Sequence, residues 1–93
     1  MSEGGIVYLV GAGVVKNGPL DLPRGGLTVV QAIAEAGWFS AHAKLNGVEI
    51  LRTQDGKQER ISVPVAEILD GDRREGEFRL RPGDLVFVPE SIW

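Results

Sequence analysis

The chain has 93 residues and no internal repeat of domain size, so we expect one domain. It contains no cysteine, which excludes disulfides, thiolate catalysis, cysteine zinc sites and iron–sulfur clusters. Lysine and arginine number 10 against 13 aspartate and glutamate residues, and the resulting net charge of −3 argues against a nucleic-acid partner. No apolar run approaches the about 20 residues that a membrane-spanning helix requires.

Two strands joined as a hairpin are predicted first in chain order. Residues 6–10 are β-branched and aromatic between glycines, which is typical of a strand buried on both faces or nearly so. Residues 16–19, Lys-Asn-Gly-Pro, favour a turn, and the alternation that follows predicts a short second strand ended by Pro23.

Gly11-Ala12-Gly13 follows the first strand and is similar to the start of a dinucleotide-binding fingerprint. The third small residue of that fingerprint would fall at Lys16, and Pro19 would break the helix that must hold the pyrophosphate. We therefore interpret the segment as a glycine bulge and turn.

The main helix is predicted at about residues 28–37. Thr28 and Gln31 have the spacing of a capping box, and Gly37 is suited to a left-handed helix end. One apolar stripe is expected from the spacing of Val30, Ile33, Ala34 and Gly37.

The second half of the chain predicts further strands around sharp turns. Alternating patterns indicate strands at residues 47–53 and 59–65 around Asp55-Gly56, then one helical turn at 65–69 and a solvated loop at 72–76. A short strand holding Phe78 and Leu80, a type II turn at 81–84 and a last strand at 85–88 follow. The order predicts an α+β domain of the β-grasp type, with a mixed sheet of about four to five strands and the helix packed across it.

Two adjacent aromatic residues are the first candidates for a binding surface. Trp38 and Phe39 follow the helix end directly, and both cannot point into one core. One of them is expected under the helix and the other at the surface, where it could stack on a sugar ring or anchor a subunit. The alternative is partial core burial of both.

Three polar residues complete the candidate contacts with a ligand or partner. His42, the single histidine, has no partner placed by the sequence, so an ordinary hydrogen-bonded loop histidine is favoured over a base or metal ligand. Arg79 and Arg81 alternate with Leu80 and would share one strand face, as a rim contact to an acidic sugar or a carboxylate, or simply as a solvated face. No catalytic, metal or cofactor set is predicted.

The motifs taken together resemble the soluble-ligand-binding β-grasp (SLBB) domain of Wza-like bacterial polysaccharide export proteins. The resemblance runs from about residue 6 to residue 93 and rests on the order and spacing of several segments. These are residues 8–11 with 16–19, 27–37, 48–52 with 56–57, 61–65 with 68–71, and 80–91. The chain departs from the family at Trp38, where a second glycine is common, and at residues 12–15, where an acidic residue often follows the first strand's glycine.

The resemblance implies a non-catalytic binding and assembly module without a cofactor. Such modules associate with copies of themselves or with adjoining modules, in a periplasmic ring or passage for polysaccharide at the outer membrane. The strand-like ending at Trp93 suggests one module of a longer protein, whereas a complete native chain would be cytoplasmic. The alternative function is a free-standing binder of a small carbohydrate or other metabolite, with a pocket near Trp38, Phe39, Arg79 and Arg81.

Overall fold

The computed structural model describes residues 5–74 and 78–91, which form a five-stranded mixed sheet with one main helix. The strands are β1 Ile6–Val10, β2 Gly18–Asp21, β3 Glu49–Gln54, β4 Lys57–Ser62 and β5 Leu85–Phe87. The helices are α1 Val29–Glu35 and α2 Val65–Leu69, with a 3-10 turn at Leu45–Gly47. The predicted α+β class, mixed sheet and single main helix are confirmed. Glu75, Gly76 and Trp93, on which sequence predictions fell, lie outside the described residues.

The strand order in the sheet is β2-β1-β5-β3-β4, so the last strand of the chain occupies the centre. β1 pairs with β2 antiparallel, as the predicted hairpin requires, and with β5 parallel. β3 pairs antiparallel with both β4 and β5. The two hairpins are therefore joined side by side through β5.

The hydrophobic core lies between α1 and one face of this sheet. Side chains that alternate along the strands are fully buried on that face, because successive residues of a strand point to opposite sides. The strand residues below 2% exposure are Val7, Leu9, Ile50 and Val86. The sheet therefore has one face committed to the core and one face left uncovered by the described residues.

The predicted capping box of α1 is confirmed. The Gln31 N–H donates to Thr28 Oγ1 at 3.2 Å, and the Thr28 N–H donates to Gln31 Oε1 at 2.9 Å. Val30 and Ile33 of the predicted stripe are buried, but Ala34 and Gly37 are exposed. The buried residues with the i, i+3, i+4, i+7 spacing begin at the first residue of the helix. They are Val29, Ala32, Ile33 and Ala36.

Several strand boundaries differ from the sequence prediction because turns begin or end them. The 3-10 turn delays the start of β3 to Glu49, and β2 ends at Asp21 before Pro23 is reached. Asp55 and Gly56 both have positive φ, 54° and 78°, as a two-residue hairpin turn requires, so pairing resumes directly at Lys57.

The predicted strand containing Phe78 and Leu80 is not formed. Arg79 makes only an isolated bridge with Thr28, and the Leu80 N–H donates to the Leu27 carbonyl at 2.8 Å. This segment is held against the entry to α1 instead of joining the sheet, and it buries Leu80 in the core. The predicted turn at 81–84 is confirmed by the 3.0 Å bond from the Asp84 N–H to the Arg81 carbonyl.

The turn after β1 explains the glycines that resemble a nucleotide-binding motif. A Cβ at Gly11 would lie 2.2 Å from the Val88 carbonyl oxygen, and one at Gly13 would lie 2.3 Å from that of Pro89. Asn17 closes the turn, since its Oδ1 accepts from the Gly11 N–H at 2.7 Å and its Nδ2 donates to the Gly11 carbonyl at 3.0 Å. The glycines therefore permit close backbone approach, and no helix follows them that could hold a phosphate.

Candidate interaction site

Trp38 is presented at the surface by the end of α1. The Trp38 N–H donates to the Ile33 carbonyl at 2.8 Å and the Gly37 N–H donates to that of Ala34 at 3.2 Å, the two bonds of a Schellman motif. Gly37 has φ 94° as that motif requires, but Trp38 also has a positive φ of 85°. That conformation is unfavourable for a bulky side chain. The Trp38 carbonyl accepts from the Val15 N–H at 3.0 Å, so both backbone polar groups of the strained residue are hydrogen-bonded.

Trp38 lies at the surface and Phe39 is partly buried. Trp38 is 43% exposed, whereas Phe39 is half-buried and packs against the core. Their ring centroids are 4.9 Å apart at an interplanar angle of 80°, an edge-to-face arrangement. Phe39 therefore braces the indole from beneath while the indole keeps a large apolar surface in solvent.

His42 lies further along the same end of the domain and is exposed. Its carbonyl accepts from the Ser91 N–H at 2.7 Å, and its neighbour Ala43 bridges to Glu90. Its backbone therefore ties this loop to the segment after β5. No hydrogen bond of its imidazole is seen among the described residues, and the interpretation as a loop histidine is the simpler one.

Arg79 and Arg81 lie at the opposite end of the domain from Trp38. Arg79 bridges to Thr28 at the start of α1 and its Nη2 donates to the Gly25 carbonyl at 3.4 Å, whereas Trp38 follows the end of α1. Ten residues of a helix span about 15 Å. Both arginine side chains are exposed on either side of the buried Leu80, as the alternation predicted, although this segment is not a strand of the sheet. The four residues that the alternative function would bring into one pocket are thus separated by the length of α1.

The uncovered face of the sheet is a second candidate surface, which the sequence analysis missed. We call it the outer sheet face; the register places on it Ile6, Tyr8, Leu51, Leu85 and Phe87, edged by Asp21 on β2 and Arg60 on β4. Ile6, Tyr8 and Phe87 are 39%, 43% and 37% exposed. Residues 6–10 are an uninterrupted apolar run, so no polar alternation marked the exposed side of β1, and the strand was predicted to be buried on both faces or nearly so.

A groove at one end of the domain is the third candidate. It has a volume of about 440 Å³, within the range of small-molecule sites, and is lined by Asn46, Ser62, Val63, Pro64, Arg73 and Phe78. The Arg73 guanidinium lies 5.7 Å from the centre of the Phe78 ring and 3.8 Å from the Glu67 carboxylate. The groove thus combines an aromatic ring, a cation and an amide.

These surfaces are suited to binding. Within residues 5–74 and 78–91, no group of three or more histidine, cysteine or carboxylate residues could hold a metal ion. Among the same residues, no helix has both the length and the apolar character that crossing a membrane requires. What the described surface does offer is exposed aromatic and aliphatic side chains.

No protein-family model matches the chain, and no curated protein matches it in sequence.

Proposed function

We propose that this chain is a non-catalytic binding and assembly module of a polysaccharide export protein, similar to the SLBB domain. In that role it contributes to a periplasmic, outer-membrane-associated ring or passage for capsular polysaccharide or exopolysaccharide, next to adjoining modules. The sequence resemblance supports this proposal together with the confirmed fold class. The ligand-facing group that we assign is Trp38, because a polysaccharide offers stacked C–H faces to an aromatic ring.

One observation carries the proposal: Trp38 is exposed in a strained conformation that glycine would adopt more easily. Trp38 is not among the described residues that form or pack against the core, whereas its neighbour Phe39 packs against it. A large aromatic surface retained at a conformational cost is what a contact residue requires. The same position commonly holds glycine in the family that the sequence resembles.

Affinity electrophoresis tests the proposal. The chain is run through native gels cast with an acidic bacterial exopolysaccharide, with a neutral glucan, or without polymer. We expect one of the polymers to retard the chain, and Trp38→Ala to abolish the retardation. Leu69→Ala is the matched control, because Leu69 is similarly exposed at 45% on α2. Equal migration of the wild type in all gels, or retardation that survives Trp38→Ala, would contradict the proposal.

The groove at Phe78 supports a second candidate function, a soluble binder of a small carbohydrate. An aromatic ring beside a guanidinium and an amide is suited to an acidic sugar such as a uronic acid, since the guanidinium can bind a carboxylate in bidentate fashion. NMR titration with glucuronate and glucose tests it. We expect glucuronate to shift the amide signals of the groove residues more than glucose, and Arg73→Gln to remove that difference. Identical small shifts for both sugars would reject this function.

A further inference from the structure

We propose that the outer sheet face pairs two copies of this chain face to face about a two-fold axis. This inference is independent of the polysaccharide function, because it rests only on the pattern of side chains across the sheet. The middle row of the face is apolar, with Tyr8 beside Leu85 and Leu85 beside Leu51 in the register, whereas Glu49 lies beside Phe87 in the next row. Phe87 extends the apolar area one step along β5.

The sheet edges are poor sites for the same association. β2 is only 4 residues long and contains Pro19, which cannot donate to a neighbouring strand. β4 exposes the charged side chains of Lys57, Glu59 and Arg60 along its length. Short, proline-bearing and charged edges protect against strand addition, so the face is the surface that remains available.

Charges of opposite sign at the two edges of the outer sheet face indicate that this face binds a second copy of the same chain. Asp21 pairs in register with Ile6 and so shares its face, while Arg60 pairs with Leu51 and shares the same face. A two-fold axis along the central strand β5 lays β2 of each copy over β4 of the other. Asp21 of one copy is then about 7 Å along the strand from the position above Arg60 of its partner, within reach of an arginine side chain.

The two-fold relation repeats this contact, so each copy contributes one acidic and one basic edge. The same two-fold axis places Leu51 of each copy over Tyr8 of its partner. Arg60 also lies 3.7 Å from Glu49, which is two residues from Arg60 along the strand in the direction opposite to Asp21 of the partner. The guanidinium must therefore leave Glu49 to reach Asp21, and its side chain is 69% exposed. Exposed pairs of this kind contribute little within one chain, so moving the guanidinium costs little.

The size of the face predicts a weak pair. The sheet is four strand spacings of about 4.8 Å wide and about five residues of about 3.3 Å long, so the projected area of the face is roughly 300 Å². Standard interfaces bury about 800 Å² on each partner, so a dissociation constant in the micromolar range or weaker is expected. Such affinity suits copies that are already held at high local concentration.

Sedimentation-velocity ultracentrifugation over a concentration series, in buffer without any sugar, tests the proposal. We expect the wild type to shift from the monomer mass toward twice that mass as concentration rises. Tyr8→Glu and Phe87→Glu should weaken the pair at least tenfold. Leu69→Glu places the same charge on an equally exposed apolar residue away from the face and should leave the pair unchanged. Circular dichroism checks that each variant is folded.

A charge exchange gives a test that does not disturb the apolar centre. Asp21→Arg or Arg60→Asp alone should weaken the pair, and the double variant should restore it, because both inter-copy contacts are then re-formed in reverse. A strictly monomeric wild type, a dimer insensitive to Tyr8→Glu and Phe87→Glu, or a double variant weaker than both single variants would overturn the proposal. Failure of polysaccharide retardation leaves this result standing, since no polymer is present in the measurement.

Discussion

Arg52 of β3 and Asp84, which precedes β5, form a two-pronged ion pair across 32 positions of sequence. Arg52 Nε donates to Asp84 Oδ1 at 3.0 Å, and Nη2 donates to Oδ2 at 2.8 Å. The Asp84 side chain is 1% exposed and also accepts from the Arg81 N–H at 2.8 Å. The pair therefore fixes the turn at 81–84 against the neighbouring hairpin.

Removing one partner of this pair should destabilise the domain strongly. Asp84→Ala leaves the Arg52 guanidinium without its carboxylate and is expected to lower the free energy of unfolding by about 3–5 kcal/mol. The double variant with Arg52→Met should lose much less than the sum of the two single variants, because no uncompensated charge remains. Urea unfolding of the four proteins measures this coupling. Additive losses would show that the two side chains act independently.

The coupling between Arg52 and Asp84 should not vary from neutral pH to about pH 10. The hydrogen bond to Asp84 raises the pKa of Arg52 above its ordinary value; burial opposes this, and the nearby charges of Asp84 and Glu59 assist it. A group whose folded-state pKa is raised contributes its full stability below the unfolded-state pKa and loses it only as pH rises through the folded-state value. For an arginine that window lies in strong alkali. Repeating the urea series at alkaline pH checks this, and a falling coupling would contradict it.

Gly13→Ala should destabilise the turn after β1 by about 1–3 kcal/mol through steric conflict. The new Cβ would lie 2.3 Å from the Pro89 carbonyl oxygen, which belongs to backbone and cannot rotate away. Gly25→Ala is the matched control, because nothing lies within 4 Å of a Cβ at that position. Thermal unfolding followed by circular dichroism compares the two. Similar melting temperatures would show that residues 88–89 move aside.

Asn17→Ala should cost about 1 kcal/mol or somewhat more, because it removes the hydrogen bonds that its side chain makes to both backbone groups of Gly11. Asn17→Asp keeps an acceptor for the Gly11 N–H but loses the donor to the carbonyl, so an intermediate loss is expected. Urea unfolding provides the values. Equal stability of all three proteins would mean that water replaces the amide without cost.

Trp38→Gly should be about 1 kcal/mol more stable than Trp38→Ala, because a φ of 85° strains any residue with a Cβ. Neither variant retains the edge-to-face contact with Phe39, so the comparison isolates the backbone. Thermal unfolding measures it. If alanine proves equal or better, the tryptophan conformation carries no strain.

Local signals predicted most of the secondary structure. Thr28 and Gln31 define the helix start because a capping box involves neighbouring residues, and Asp55-Gly56 defines a hairpin because few residue pairs adopt positive φ together. Phe78 and Leu80 were assigned wrongly because their pattern fits a strand, while contacts with Leu27 and Val29 hold the segment against the helix entry.

Long-range relationships were not accessible to sequence reasoning. The Arg52–Asp84 pair joins residues whose separation gives no periodic signal, and Arg52 was interpreted only as a strand residue. Similarly, the outer sheet face emerges only when three strands are brought into register. Trp38 and Phe39 were found as candidates because they are adjacent, whereas their separation from Arg79 and Arg81 depends on how α1 crosses the sheet.

The parallel pairing of β1 with β5 has a mechanical consequence. The described chain enters at one end of the sheet, near Gly5, and leaves at the other, near Ser91, because both strands run in the same direction. Modules linked in series through these points would advance lengthwise, each adding its own span to the row. A force that stretches such a row would shear β1 against β5. In that direction all the hydrogen bonds between the two strands carry the force at the same time.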